Sequence, residues 1–154
     1  MSVAVRRVPG SDPVAIELVD AMVAEIGELY EPGLPAGSSA EPAELSPPHG
    51  GFVVLWEQQR AVAGGGVKRL DGRTCEIKRM YVVPDARGRG TGRTLLAALE
   101  ALARDLGYRV ARLDTGARQP GAQRMYERAG YVSIPDYNDN PYAAFWGEKA
   151  LAQT

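Results

Sequence analysis

A glycine-rich segment, Arg87-Gly88-Arg89-Gly90-Thr91-Gly92, joins a β-like stretch, Glu76 to Val83, to a strongly helical one, Arg93 to Leu106. This junction constrains the fold more than any other feature of the chain. Leu95, Leu99, Leu102 and Leu106 recur at helical spacing, Gly107 supplies a C-terminal cap, and Tyr108 to Asp114 reads as the next strand. Strand, helix and strand in that order form a crossover, which lays the two strands parallel in one sheet. The alternating glycines lack a Cβ and reach φ > 0, so successive N–H groups can converge on one anion. The helix start adds unpaired amides and the positive end of its dipole. Arg87, Arg89 and Arg93 bring positive charge to the same place, and the combination reads as a pyrophosphate cradle. A glycine-rich turn with solvated arginines is the plainer alternative, which the loop alone does not exclude. Spacing rules out two nucleotide motifs. A G-x-G-x-x-G begun at Gly88 needs glycine at Arg93, and a Walker A loop needs a lysine, absent between Lys78 and Lys149.

The remainder of the chain supplies strands for that sheet. Ser2 to Val8 alternates as a first strand. Asp12 and Pro13 open a helix that runs to about Tyr30, with Val14, Leu18 and Met22 on its apolar face. Glu31 to Gly51 is a long loop with one short helix at Ala40 to Leu45. Phe52 to Trp56 and Ala61 to Leu70 form a hairpin, and Gly64-Gly65-Gly66 suggests a bulge or a close approach by another backbone. Asp71-Gly72 turns into the strand Thr74 to Val83, which Pro84 stops. Pro120 to Ala129 is a helix closed by Gly130, and Tyr131 to Ile134 and Ala143 to Leu151 complete the strands around a polar loop, Pro135 to Tyr142. The expected fold is a single α/β domain, 1–154, with a mixed sheet and helices on both faces.

At 154 residues the chain is long enough to bury a core without staples. Its 18 basic and 19 acidic residues nearly cancel, which argues against nucleic acid or an anionic membrane as partner. The single Cys75 fits a reducing compartment, and with no long apolar leader the expected location is cytoplasmic. One histidine, His49, and one cysteine offer no metal site.

The string Glu76-Ile-Lys-Arg-Met-Tyr-Val-Val-Pro-Asp-Ala-Arg-Gly-Arg-Gly-Thr-Gly92 resembles the GNAT superfamily of acyl-CoA-dependent N-acyltransferases. Arg87, Gly90 and Gly92 match that family's Arg/Gln-x-x-Gly-x-Gly/Ala loop, and Ala122 through Tyr126 to Tyr131 is similar to its second signature helix. The likeness extends to small bacterial members with EIKRMYV-like and Ile-Pro-x-Tyr-like segments. The resemblance implies the GNAT fold, with acetyl-CoA between splayed parallel strands that end near Val83 and Asp114. Backbone groups of Met80, Tyr81 and Val82 would meet the pantetheine arm. Amides of Arg87, Gly88, Arg89, Gly90, Thr91 and Gly92, followed by Arg93, would hold the diphosphate. Gln119 stands where the family often has asparagine, offering the same amide groups on a longer arm.

Acyl transfer from a thioester to an amine needs a base for the amine, a donor to the carbonyl oxygen and a proton for the leaving thiolate. Glu76 is the candidate base, at a place where some family members carry a catalytic glutamate; an exposed strand glutamate pairing with Lys78 or Arg79 is the alternative. Tyr126 matches the family's tyrosine and is the candidate acid, since a phenol stays protonated at neutral pH; a packed core aromatic is the alternative. The oxyanion donor is expected near Tyr81 or Val82. Acceptor recognition falls to the first helix and its loop (Tyr30, Glu25, Glu28, Glu31) and to the last loop and its strand (Asp136, Tyr137, Asp139, Tyr142, Trp146). Surface acids and core aromatics explain the same residues, and His49 reads as a solvated loop residue. The leading expectation is N-acetylation of a primary amine in a ternary complex. A GNAT-fold CoA-binding sensor without turnover is the alternative, and pairing through terminal strands is the expected route to any homodimer.

Overall fold

The computed structural model describes residues 2–29 and 40–152. One sheet of seven strands organises the chain: β1 (Ala4–Val8), β2 (Gly51–Glu57), β3 (Arg60–Arg69), β4 (Thr74–Val82), β5 (Val110–Gly116), β6 (Val132–Ser133) and β7 (Ala143–Ala150). Their spatial order is β1-β2-β3-β4-β5-β7-β6. Among the described residues only β4 and β5 run parallel, joined by the crossover helix α2 (Thr91–Asp105); the other neighbours are antiparallel. Helices α1 (Pro13–Leu29) and α3 (Pro120–Arg128) complete the mixed α/β architecture that the crossover implied. The expected end of the first helix at Tyr30 and residues 31–39 of the following loop lie outside the described residues.

Both faces of the sheet are covered, and the period of two along β2 shows how. Val53 and Leu55 point into the larger core with Leu95, Leu99 and Leu102 of α2 and Tyr126 of α3. Phe52 and Val54 point the other way, against Ala15 and Leu18 of α1 and against Leu45. Leu45 ends the short helix expected at Ala40 to Leu45, which is a 3-10 turn over Pro42–Leu45. Glu44 Oε1 accepts the Glu41 N–H at 2.9 Å and stabilises the start of that turn.

Gly64, Gly65 and Gly66 are accounted for by side chains from both layers rather than by another backbone. A Cβ on Gly64 would lie 2.7 Å from Leu18 Cδ1, on Gly65 2.9 Å from Leu99 Cδ1, and on Gly66 2.8 Å from Leu45 Cδ2. The bulge expected in this run belongs to the neighbouring strand. Gly64 pairs with Tyr81 and Gly66 with Lys78, so the single Gly65 opposes both Arg79 and Met80, and Arg79 takes φ 63°.

Most other boundaries lie within two residues of those expected, and three of the differences bear on the site or the sheet. Helix α2 starts at Thr91 rather than Arg93, because Gly90 is the N-cap and the buried Thr91 hydroxyl donates to the Ala86 carbonyl at 3.1 Å. Strand β5 runs from Val110 to Gly116 rather than from Tyr108 to Asp114, since its antiparallel partner β7 carries the pairing on to Gly116. Strand β6 keeps only two residues.

Gly65→Val tests the two-sided packing. The added side chain meets Leu99 and Met80 and should cost about 1–3 kcal/mol, read as a lower denaturation midpoint with unchanged slope. A wild-type midpoint would show that the layers give way without strain.

Candidate functional site

The two parallel strands pair over three residues only: Thr74 with Val110, Cys75 with Ala111 and Glu76 with Arg112. Beyond that point β4 continues along β3 as far as Val82, and β5 continues along β7 as far as Gly116. Each strand follows its antiparallel neighbour, and a gap opens between them. Val83 donates its N–H to the Val62 carbonyl at 2.9 Å, so strand alternation turns the peptide edge of Val82 toward the gap and that of Tyr81 toward Gly64 of β3. The Val82 carbonyl accepts from Arg87 Nε at 2.9 Å.

The glycine loop follows β4 and faces the same gap. Gly88 (φ 82°) and Gly90 (φ 81°) both lie in the left-handed region, where L side chains are disfavoured. A Cβ at Gly88 would meet nothing within 4 Å, whereas one at Gly92 would sit 3.2 Å from Met125 Sδ on α3. Gly92 therefore lets helices α2 and α3 approach, while the surface at Gly88 is open. Arg87 and Arg89 do not carry loose charge. Arg87 Nη2 lies 2.7 and 2.9 Å from the two oxygens of Glu25 on α1, and its guanidinium is 5.5 Å from the Tyr81 ring centre. Arg89 pairs with Glu57 at 3.0 Å. The side chain of Arg93 is exposed beside Gly90.

On the sheet face opposite the larger core, β4, β5 and β7 present polar residues under the loop between β6 and β7. Glu76 is 0% exposed, which removes the exposed-glutamate alternative. Its Oε2 accepts the Tyr137 hydroxyl at 2.6 Å and Asn138 Nδ2 at 3.0 Å. The same Nδ2 donates to Asp114 Oδ2 at 2.5 Å, and Asn140 Nδ2 reaches that oxygen at 3.2 Å. Asn138 thus ties a carboxylate of one diverging strand to a carboxylate of the other, while its Oδ1 accepts Trp146 Nε1 at 2.9 Å. The loop is shaped locally by Asp136, whose Oδ1 accepts the N–H groups of Asn138 (2.9 Å) and Asp139 (2.8 Å). Lys78 lies on the same face; burial pushes its ammonium below the usual lysine range, opposed by the charges of Glu76 and Asp114. Of this cluster, Glu76 and Tyr137 are candidates from sequence, whereas Asn138 and Asp114 are not. The Asp-x-Asn turn inside Pro135 to Tyr142 was the available signal.

Tyr126 sits on the other side of the sheet, 7% exposed, with its ring 6.1 Å from that of Tyr131. Its hydroxyl lies 3.6 Å from Met80 Sδ, a weak acceptor. Burial holds its phenol far above the usual tyrosine range, so it stays protonated. Gln119 is the N-cap residue of α3 and turns Oε1 toward the Gly116 N–H at 3.4 Å, closing the turn after β5. His49 is exposed in a pocket with Ala43, Glu44, Lys68 and Arg69, and its carbonyl accepts the Tyr108 hydroxyl at 2.6 Å. Among the described residues no three His, Cys, Asp or Glu side chains are grouped to hold a metal, and no helix is long and apolar enough to cross a membrane.

Comparison with known proteins matches residues 19–131 to the acetyltransferase (GNAT) family. The IAA acetyltransferase of Azospirillum brasilense is 32% identical over 153 residues, 95% of each chain. The uncharacterized N-acetyltransferase YjgM of Escherichia coli (strain K12) is 35% identical over 94 residues, 59% of this chain and 55% of that protein's length. A solved structure from Klebsiella pneumoniae, provisionally named an acyl-CoA N-acyltransferase, superposes with a TM-score of 0.77 at 29% identity, covering 97% and 98% of the two chains. The structure of YncA from Salmonella typhimurium, provisionally an acetyltransferase and solved with acetyl-CoA, has a TM-score of 0.69 at 15% identity over 100% and 96% and shares the fold.

Cys75, 0% exposed on β4, has its thiol pushed up to about 12 by burial, with Glu76 and Glu100 adding to the shift. Native protein at pH 8 should resist alkylation by iodoacetamide over a time in which denatured protein reacts fully. Rapid native labelling, read by intact mass, would contradict the burial.

Proposed function

Because this chain belongs to the acetyltransferase (GNAT) family, we propose that it is an acetyl-CoA-dependent N-acetyltransferase that passes an acetyl group directly to a primary amine. The observation that carries this reading is the parting of β4 and β5 immediately after Glu76, with the glycine loop at the open end. A gap between strands whose facing edges no longer pair with each other suits an extended amide-bearing arm such as pantetheine. Met80 and Val82 would hold that arm through their peptide edges, with Gln119 on the far side of the gap. The amides of 88–92 and the start of α2 would hold the diphosphate, with Arg93 alongside. Arg87 and Arg89 contribute their backbone there, since their side chains already serve Glu25 and Glu57.

Acetyl-CoA supplies the activated acetyl group, and the remaining chemistry falls to side chains already in place. A primary amine is protonated near neutral pH, and Glu76 is the proposed acceptor of its proton. Tyr126, held neutral by burial, is the proposed donor to the departing sulfur, and the Met80 sulfur now near its hydroxyl marks that position as compatible with a soft atom. The binding-module alternative draws on one observation, the capping of Glu76 by Tyr137 and Asn138.

Free-thiol release from acetyl-CoA, run against a panel of small amines, amino acids and peptides with CoA calorimetry in parallel, decides between them. Acceptor-dependent release supports the enzyme; tight CoA binding without release on any acceptor supports the binding module. For Tyr126→Phe the expected outcome is a kcat lower by about a hundredfold with CoA affinity unchanged. Wild-type turnover in that variant would return Tyr126 to a packing role.

A further inference from the structure

We propose that Tyr137 is a catalytic residue that carries the proton from the acceptor amine to Glu76, an assignment resting on Glu76 as the base. Glu76 has no exposed surface, so an amine nitrogen cannot touch its carboxylate while the loop between β6 and β7 is in place. Two side chains of that loop bond the carboxylate. Asn138 cannot pass a proton: its Nδ2 is a donor only, spent on Glu76 and Asp114, and its Oδ1 is taken by Trp146. Tyr137 can, because a hydroxyl donates one hydrogen and accepts through its own lone pairs. Its O–H already points at Glu76 Oε2 at 2.6 Å, the short distance of a charge-assisted bond. The residue is only partly buried, and its ring is set by the Arg112 guanidinium 5.4 Å from the ring centre. Burial and the Glu76 charge hold the phenol far above its ordinary range, so Tyr137 relays a proton rather than keeping a charge.

The step balances without a further reactant. An N–H bond of the bound ammonium breaks as an O–H bond forms on Tyr137, while the original Tyr137 O–H breaks and its hydrogen bonds to Glu76. The ammonium and the carboxylate both become neutral, Tyr137 ends as it began, and the amine is left with the lone pair that attacks. Asn138 acts here as a positioning residue, fixing Glu76 relative to Asp114 and holding the loop that carries Tyr137.

The test compares wild type, Tyr137→Phe, Glu76→Gln and the double variant by acceptor-dependent thiol release, with CoA affinity by calorimetry as the check on folding and on the cofactor site. Tyr137→Phe keeps the ring and should lower kcat by about a hundredfold with CoA affinity unchanged. Since the two residues serve one proton path, the double variant should be no slower than Glu76→Gln alone. Turnover of Tyr137→Phe within about twofold of wild type, or losses that multiply in the double variant, would overturn the relay. Failure of the wild type to release thiol with any acceptor removes the enzymatic reading itself, and the relay with it.

Discussion

The competition for the edges of β4 and β5 governs this molecule. A strand has two edges of N–H and C=O groups, and both need partners when buried. β4 satisfies one edge with β3 along its length, and β5 satisfies one with β7. On their facing edges they share three residue pairs and then separate. The extra residue at Arg79 and the two-sided clamping of Gly64, Gly65 and Gly66 bind β4 to β3 where it leaves β5. Everything assigned to the site lies along that divergence: the Val82 peptide edge, the glycine loop at the open end, and Glu76 at the last paired position.

Charge is arranged to protect the opening. Arg87 is anchored to Glu25 on α1 and to the Val82 carbonyl, so a positive group stands beside the gap without being loose in it. Asn138 Nδ2 donates to both the buried Glu76 and the half-buried Asp114, since a carboxylate taken out of water must be satisfied to be tolerated. The same rule appears in the larger core, where Glu100 on α2 takes the Tyr131 hydroxyl at 2.8 Å and Lys149 Nζ at 2.9 Å. That cluster ties α2 to β7, and its Tyr131 ring stands 6.1 Å from the ring of Tyr126. The Glu25 carboxylate, one of the residues named for acceptor recognition, is paired with Arg87.

The sequence made the scaffold legible because its signals were local. Helical leucine spacing, Gly107 as a stop and Pro84 as a strand end define the crossover, and the glycine loop follows from it. The bulge was placed on the wrong strand, since Gly64 to Gly66 advertise small volume while the extra residue is Arg79, whose left-handed backbone has no compositional marker. The cap over Glu76 was hidden for a different reason. Tyr137 and Asn138 reach it across 61 and 62 residues, and no periodicity encodes such a contact. The ion pairs that tie down Arg87 and Arg89 span 62 and 32 residues, which is why those side chains read as loose cationic charge.

On this reading the gap between β4 and β5, closed at one end by Glu76 and open at the glycine loop, receives the thioester arm. A crystal structure of the protein with acetyl-CoA tests it most directly. The arm should lie between Met80–Val82 and the end of β5, with the diphosphate on the backbone amides of 88–92. Density for acetyl-CoA elsewhere on the sheet, or a loop that leaves those amides unbound, would contradict it.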